Sequence, residues 1–142
     1  MKLGINGSVR EVTENSDQTA LSFLRREGMV GTKEGCASGD CGACTILVGR
    51  EISGEISYQT RNACITPINQ LAGTHVVTVE GLASKEGLHP SQKAMIEEHA
   101  SQCGFCTPGF VVSIAALVEA GEESKRETVI EGISGNLCRC TG

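Results

Sequence analysis

Eight cysteines constrain this chain more than any other feature of its sequence. The N-terminus lacks the long apolar core of a signal peptide, which predicts a cytoplasmic location, where thiols stay reduced. Eight cysteines in 142 residues is also below the roughly 8–10% typical of disulfide scaffolds. Metal binding is therefore favoured over disulfide bonds. The cysteines form one group of four in each half of the chain: Cys36, Cys41, Cys44 and Cys64, then Cys103, Cys106, Cys138 and Cys140.

The first group has the spacing C-x4-C-x2-C followed by a distant cysteine, the pattern of plant-type 2Fe–2S ferredoxins. Such a cluster with four thiolates is negatively charged, so its loop must turn backbone N–H groups toward sulfur. This requires residues that adopt positive φ, and Gly35, Gly39 and Gly42 stand among the cysteines. We expect Asp40, beside Cys41, to point outward. A four-cysteine zinc site is the alternative, although its paired cysteines usually lie about two to four residues apart.

The second group leaves three interpretations open. Cys103-Gly-Phe-Cys106 alone is compatible with thiol redox chemistry, half a zinc site or one corner of a cluster. Cys138 and Cys140 lie only two positions apart, which is awkward on one tetrahedral zinc and easier around two irons. Cys106 directly precedes Thr107-Pro108, a favourable helix start whose positive dipole end stabilises a thiolate. A second 2Fe–2S cluster is the leading interpretation.

The first half of the chain is predicted to be a β-sheet crossed by one helix, an α+β arrangement. Alternating apolar residues flank Asn6-Gly7, a strong hairpin signal. A helical pattern over about 18–27 precedes Gly28, which stands where a helix C-cap glycine belongs. Apolar runs predict further strands at 45–48, 56–58 and 76–79, the first two joined by a turn at Gly54.

From about residue 81 the pattern becomes helical. Helices are predicted over about 91–100, from Thr107 to Gly121, and from a capping-box pattern at Ser124-x-x-Glu127 through Ile133. The predicted organisation is a β-rich domain at 1–80, a linker at 81–88 and an all-α domain at 89–142. Four residues of the longest helix recur at helical spacing and are predicted to be its buried face: Phe110, Ile114, Leu117 and Val118.

Composition argues against several classes of function. With 12 basic and 17 acidic residues the net charge is −5, and no long basic run is present, so nucleic acid and anionic membranes are poor partners. No apolar stretch approaches the roughly 20 residues that span a bilayer, so membrane insertion is not expected. No Ser/His/Asp set, paired acidic centre or phosphate-cradling loop is evident. The chain is therefore expected to contain no catalytic residue.

Six short segments around the cysteines form a specific combination: residues 31–36, 41–45, 62–64, 78–81, 102–109 and 135–142. Together they resemble the iron–sulfur subunit or N-terminal region of the molybdenum hydroxylases, the xanthine dehydrogenase and aldehyde oxidase family. The resemblance spans nearly the whole chain. It implies a β-grasp, ferredoxin-like 2Fe–2S domain followed by an all-α, helical-bundle 2Fe–2S domain.

The resemblance also implies an electron-transfer role. In the family, a molybdopterin centre on a large subunit or domain hydroxylates the substrate. Electrons then pass through the helical-domain cluster and the ferredoxin-like cluster, commonly to FAD on a medium subunit or domain. The group that begins at Cys103 would lie near molybdopterin, and the group that begins at Cys36 near the flavin. Gln102 and Cys140 match positions that touch the pterin in the family.

Two other functions stay open from the sequence. A free-standing ferredoxin-like carrier is one, although such a carrier needs only the first cluster. A zinc-stapled structural adaptor is the other. Family members usually continue beyond Thr141-Gly142, so the sequence leaves open a trimmed small subunit or a fragment of a longer chain. In either case this chain alone is expected to lack hydroxylase activity.

Overall fold

The computed structural model describes residues 1–12, 17–122 and 125–141. Within these ranges it contains a five-stranded sheet, four α-helices and two short 3-10 helices, Ile68–Leu71 and Val79–Gly81. The α+β class expected from the sequence is confirmed. The strands are β1 Lys2–Ile5, β2 Ser8–Glu11, β3 Thr45–Ile52, β4 Glu55–Asn62 and β5 His75–Val77. The helices are α1 Ala20–Arg26, α2 Pro90–Glu97, α3 Thr107–Glu119 and α4 Arg126–Ile133.

The sheet has the strand order β2-β1-β5-β3-β4, in which β1 and β5 are parallel and the other neighbours are antiparallel. Asn6 and Gly7 form the β1–β2 turn with φ of 48° and 79°, and Ser53 and Gly54 form the β3–β4 turn with φ of 55° and 87°. Two-residue hairpin turns favour positive φ at both positions, which is why Asn-Gly is so strong a signal. Both predicted hairpins are confirmed.

Helix α1 covers one face of this sheet. The Thr19 hydroxyl caps it by accepting a hydrogen bond from the Ser22 N–H at 3.1 Å. Just beyond its end Gly28 takes a φ of 86°, as expected of a C-terminal glycine. The predicted helix over about 18–27 is thus confirmed, with Thr19 setting its first turn. The apolar core between helix and sheet includes Leu3, Ile5, Leu21, Leu24, Ile46 and Val76.

Helix α3 packs against the opposite face of the sheet, and this position corrects the predicted buried face. Val112 and Ala115 are fully buried and share a cluster with Leu47 of β3 and Val77 of β5. Of the residues expected to be buried, Phe110, Ile114 and Leu117 are only half-buried, and Val118 is 46% exposed. The reason is that α3 is apolar on most of its surface, so spacing alone does not identify the side that meets the sheet.

Helices α2 and α4 flank α3. His89 caps α2: its Nδ1 accepts a hydrogen bond from the Ser91 N–H at 3.1 Å, and its Nε2 lies 3.2 Å from Glu119 Oε1 at the end of α3. Helix α4 begins at Arg126, with Lys125 at the N-cap position. The predicted capping box there depends on Ser124, which lies outside the described residues. None of the helices in the described ranges has both the length and the apolar character needed to cross a membrane.

Candidate metal centres

Cys36 lies in a loop that turns backbone N–H groups toward its sulfur. Its Sγ accepts hydrogen bonds from the N–H groups of Ser38, Asp40 and Cys41 at 3.4, 3.3 and 3.4 Å. The loop turns this way because Ala37 has a φ of 56° and its glycines provide further positive φ values. Hydrogen bonding from the Ser38 side chain, followed by these N–H groups, lowers the pKa of Cys36 to about 5. An exposed thiolate is therefore stable at this position.

The predicted glycines serve the loop in two different ways. Gly39 and Gly42 have φ of 85° and 71°, as the sequence argument requires. Gly35 is not at positive φ; a Cβ there would lie 2.8 Å from Cys41 Sγ, so this glycine is needed for the close approach of sulfur. Asp40 is exposed, as expected, and its carboxylate accepts a hydrogen bond from the Ser38 hydroxyl at 2.6 Å.

Cys44 and Cys64 form the buried side of the first group. The Cys64 N–H lies 3.4 Å from Cys44 Sγ, and the Ala63 N–H donates to the Cys44 carbonyl at 3.2 Å. Burial, together with the neighbouring thiols of Cys64 and Cys41, raises the pKa of Cys44 to about 12. A lone thiolate is therefore unfavourable here. Burial of this kind suits a thiolate only when a metal compensates its charge.

The four thiols of the second group interact in pairs. Cys103 is hydrogen-bonded to Cys140, and Cys106 to Cys138. The Thr141 hydroxyl and N–H contact Cys138 Sγ at 2.8 and 3.4 Å, and these hydrogen bonds lower the pKa of Cys138 to about 7. Burial raises the pKa of Cys106 to about 11. The structure therefore brings the four predicted thiols together as two hydrogen-bonded pairs, and the thiolate form is favoured at Cys138 and disfavoured at Cys106.

Cys106 occupies the N-cap position of α3, which corrects the expected role of Thr107. Thr107 is the first residue of the helix, and its hydroxyl hydrogen-bonds to Ser101 Oγ at 2.9 Å and does not cap the helix. Pro108 follows in the first turn, as predicted. The Cys106 thiol thus lies at the positive end of the longest helix in the described chain, a favourable place for a metal-bound thiolate.

The donor chemistry of both groups suits a 2Fe–2S cluster. Each offers four sulfur ligands, and thiolates are the ligands that iron–sulfur clusters use. In both groups, hydrogen-bond donors point at sulfur, which offsets the negative charge that such a cluster carries. In the described part of the chain, no three or more His, Cys, Asp or Glu side chains are arranged to hold a single metal ion.

The two groups adjoin each other across the boundary between the sheet and the helices. The Leu137 N–H donates to the Cys41 carbonyl at 3.0 Å, and the Asn136 side chain donates to the Gly42 carbonyl at 3.1 Å. These contacts were not predicted from the sequence. The available signal was that Gly135-Asn136-Leu137 directly precedes Cys138, but spacing does not reveal what such a segment touches.

Gln102 and Cys140, the two positions expected to contact a pterin, both lie at the surface of the second group. Gln102 is exposed on the loop that leads into Cys103, and Cys140 is exposed in the C-terminal turn. Their surface position leaves both side chains accessible to another protein. Their role toward a pterin remains a prediction.

Comparison with protein families defines the class. The model described as a 2Fe–2S iron–sulfur cluster binding domain matches residues 3–69, and the model described as a 2Fe–2S binding domain matches residues 78–142. The chain is therefore a protein of two 2Fe–2S domains, the first ferredoxin-like and the second helical.

Comparison with individual proteins identifies the family. Xanthine dehydrogenase of Blastobotrys adeninivorans is 46% identical over 97% of this chain, and aldehyde oxidase 3 of Mus musculus is 45% identical over 97%. The chain spans only 10% and 11% of these two relatives. The solved quinoline 2-oxidoreductase of Pseudomonas putida 86 is 37% identical, with a TM-score of 0.82 over 100% of this chain and 83% of that one. The aldehyde oxidoreductase of Desulfovibrio desulfuricans is 36% identical, with a TM-score of 0.83 over 99% of this chain and 15% of that one. The chain belongs to the molybdenum hydroxylase family and corresponds to its 2Fe–2S region.

Proposed function

We propose that this chain carries electrons between a molybdopterin centre and a flavin or other acceptor, with one 2Fe–2S cluster on each cysteine foursome. The proposed division is a ferredoxin-like domain at 1–80, a linker at 81–88 and a helical domain at 89–142, in the cytoplasm. Bound 2Fe–2S clusters supply one-electron donor and acceptor states. The first cluster would be held by Cys36, Cys41, Cys44 and Cys64, and the second by Cys103, Cys106, Cys138 and Cys140.

The observation that carries this proposal is the direct hydrogen bond between the two ligand-bearing segments. The Leu137 N–H, one residue before Cys138, donates to the carbonyl of Cys41 at 3.0 Å. Ligands of both groups are thus connected through backbone bonds and one hydrogen bond. A free carrier with one cluster has no use for such a connection, whereas a relay between two centres requires the centres to be close.

Burial within each foursome supports a relay with an outward-facing end at each centre. Cys44 and Cys64 are buried, and Cys36 of the same group is exposed. In the second group Cys106 and Cys138 are half-buried, and Cys103 and Cys140 are exposed. The less exposed thiols limit the access of water to one side of each centre, and the exposed thiols leave the other side open to a partner. We therefore propose a molybdopterin-binding large subunit or domain beside Cys103 and Cys140, and an FAD-binding medium subunit or domain beside Cys36.

Isolation of the chain with its natural partners tests this function. Purified from the cells that produce it, the chain should be recovered with a molybdenum-containing protein in about equal amounts. A chain that is recovered as a stable monomer without molybdenum would favour the free carrier instead.

The proposed contact of Gln102 with the pterin has a separate test. In the isolated complex, Gln102→Ala should slow the substrate-driven reduction of both clusters and leave the iron content unchanged. Gln59→Ala, at an exposed position on β4, is the matched control and should have no effect. Equal rates in the two variants would contradict the pterin contact.

A further inference from the structure

The side chain of Asn136 lies where the sheet, α3 and the C-terminal loop meet. Asn136 is half-buried in the turn that follows α4. Its Oδ1 accepts a hydrogen bond at 2.7 Å from the hydroxyl of Ser113, a residue of α3 that is 4% exposed. Its Nδ2 donates at 3.1 Å to the Gly42 carbonyl and at 3.4 Å to Thr45 Oγ1. One amide therefore links three separate segments of the chain.

The partners of this amide fix its orientation. The Gly42 carbonyl can only accept a hydrogen bond, so it requires the NH₂ end of Asn136. The Thr45 hydroxyl donates its proton to the same carbonyl at 2.7 Å, which leaves its oxygen free to accept from Asn136. The Ser113 hydroxyl must then donate to Oδ1, the other end of the Asn136 amide. An aspartate of the same shape would instead place a carboxylate oxygen against the Gly42 carbonyl.

The backbones around Asn136 are in direct contact, so the amide has no room to shift. A Cβ on Gly42 would collide with the Gly135 carbonyl and the Asn136 side chain. A Cβ on Gly109 would collide with the Gly42 carbonyl. Glycine is required at both positions for this approach. The next residue along the chain, Leu137, then makes its hydrogen bond to Cys41.

From these contacts we infer that Asn136 is a positioning residue that fixes the Cys41-Gly42 segment against the Leu137-Cys138 segment. It thereby sets the separation and mutual orientation of the two 2Fe–2S centres. This inference rests on the proposed function, because it requires a cluster on each foursome. Within the described residues, the Asn136 side chain makes its hydrogen bonds to Ser113, Gly42 and Thr45 and to no cysteine thiol. It acts through Gly42 and Leu137, each of which is bonded in sequence to a cysteine.

Asn136→Asp tests the inference, because it removes the donor and preserves the shape. The readout is low-temperature paramagnetic resonance of the dithionite-reduced chain, in which two nearby paramagnetic centres split each other's signals. We expect the variant to keep its iron and to show changed splitting of both signals. Asn69→Asp, the same substitution at an exposed position on the 3-10 helix Ile68–Leu71, should give the wild-type spectrum. A variant that merely lost stability would retain the wild-type splitting at low temperature.

Ser113→Ala keeps the inference testable if Asn136→Asp fails to bind iron. It removes one hydrogen bond of the same amide without altering the segment that carries Cys138, and it should change the splitting in the same direction to a smaller extent. Wild-type splitting in an iron-loaded Asn136→Asp, or in Ser113→Ala when the first variant cannot load, overturns the inference. A wild-type chain without two signals would overturn the proposed function itself.

Discussion

Replacement of Gly109 by alanine tests the close contact between the two halves of the chain. The same substitution at an ordinary helix position has the opposite effect on stability. Gly109 lies in the first turn of α3, where it is buried. In a helix, glycine to alanine normally stabilises by up to about 1 kcal/mol, because alanine loses less backbone entropy on folding. Here the added Cβ would collide with the Gly42 carbonyl. The structure therefore predicts that Gly109→Ala lowers the free energy of unfolding.

The magnitude follows from what the new methyl group must displace. Overpacking of a well-packed site costs about 1–3 kcal/mol. The Gly42 carbonyl is held by the Thr45 N–H at 3.1 Å and by Asn136, and loss of the latter hydrogen bond costs about 1 kcal/mol more. After subtraction of the helix gain of about 1 kcal/mol, the net loss is about 1–3 kcal/mol. For a chain of this size that corresponds to a midpoint of thermal unfolding lowered by about 4–12 °C.

The assay is thermal unfolding followed by circular dichroism at one heating rate, with Gly132→Ala as the matched control. Gly132 lies in α4, and a Cβ there would lie 2.6 Å from Leu117 Cδ2, the flexible end of a side chain that can rotate away. The control should therefore change the midpoint by less than about 4 °C in either direction. A Gly109→Ala protein that is as stable as Gly132→Ala, or more stable than wild type, would refute the close approach of α3 to the cysteine loop.

Two further predictions concern one ligand and one helix cap. Cys41→Ser should remove one of the two paramagnetic signals of the reduced chain and leave the other, and loss of both would mean that the two sites are not independent. His89→Ala removes the side-chain acceptor for the Ser91 N–H and should lower the free energy of unfolding by about 1 kcal/mol. That loss would appear as a midpoint about 4 °C lower in the same thermal assay, and an unchanged midpoint would contradict the capping role.

The parts of the fold that could be predicted are those that local chemistry determines. Asn6-Gly7 and Gly54 identified two hairpins because positive φ restricts which residues can form such turns. The buried face of α3 could not be predicted, because Val112 and Ala115 are buried by a sheet that is distant in sequence. Because this helix is apolar on most sides, its hydrophobic periodicity does not show which face is buried.

The same distinction holds for the site. Both cysteine groups were predicted from spacing, and the structure brings the thiols of the second group into hydrogen-bonded pairs. Ala37, however, takes a positive φ of 56° in a position where glycine would have been the expected residue. Asn136 was also missed, because its partners Gly42 and Ser113 lie more than twenty residues away along the chain. Contacts of this kind depend on the packing of whole elements and leave no local pattern.

The most direct test of two clusters on two foursomes is the iron and sulfide content of the freshly purified chain, together with its paramagnetic resonance after reduction. Two clusters with four thiolates each predict about four irons and four sulfides per chain and two distinct signals. A colourless protein that holds about two zincs and no sulfide would contradict the account.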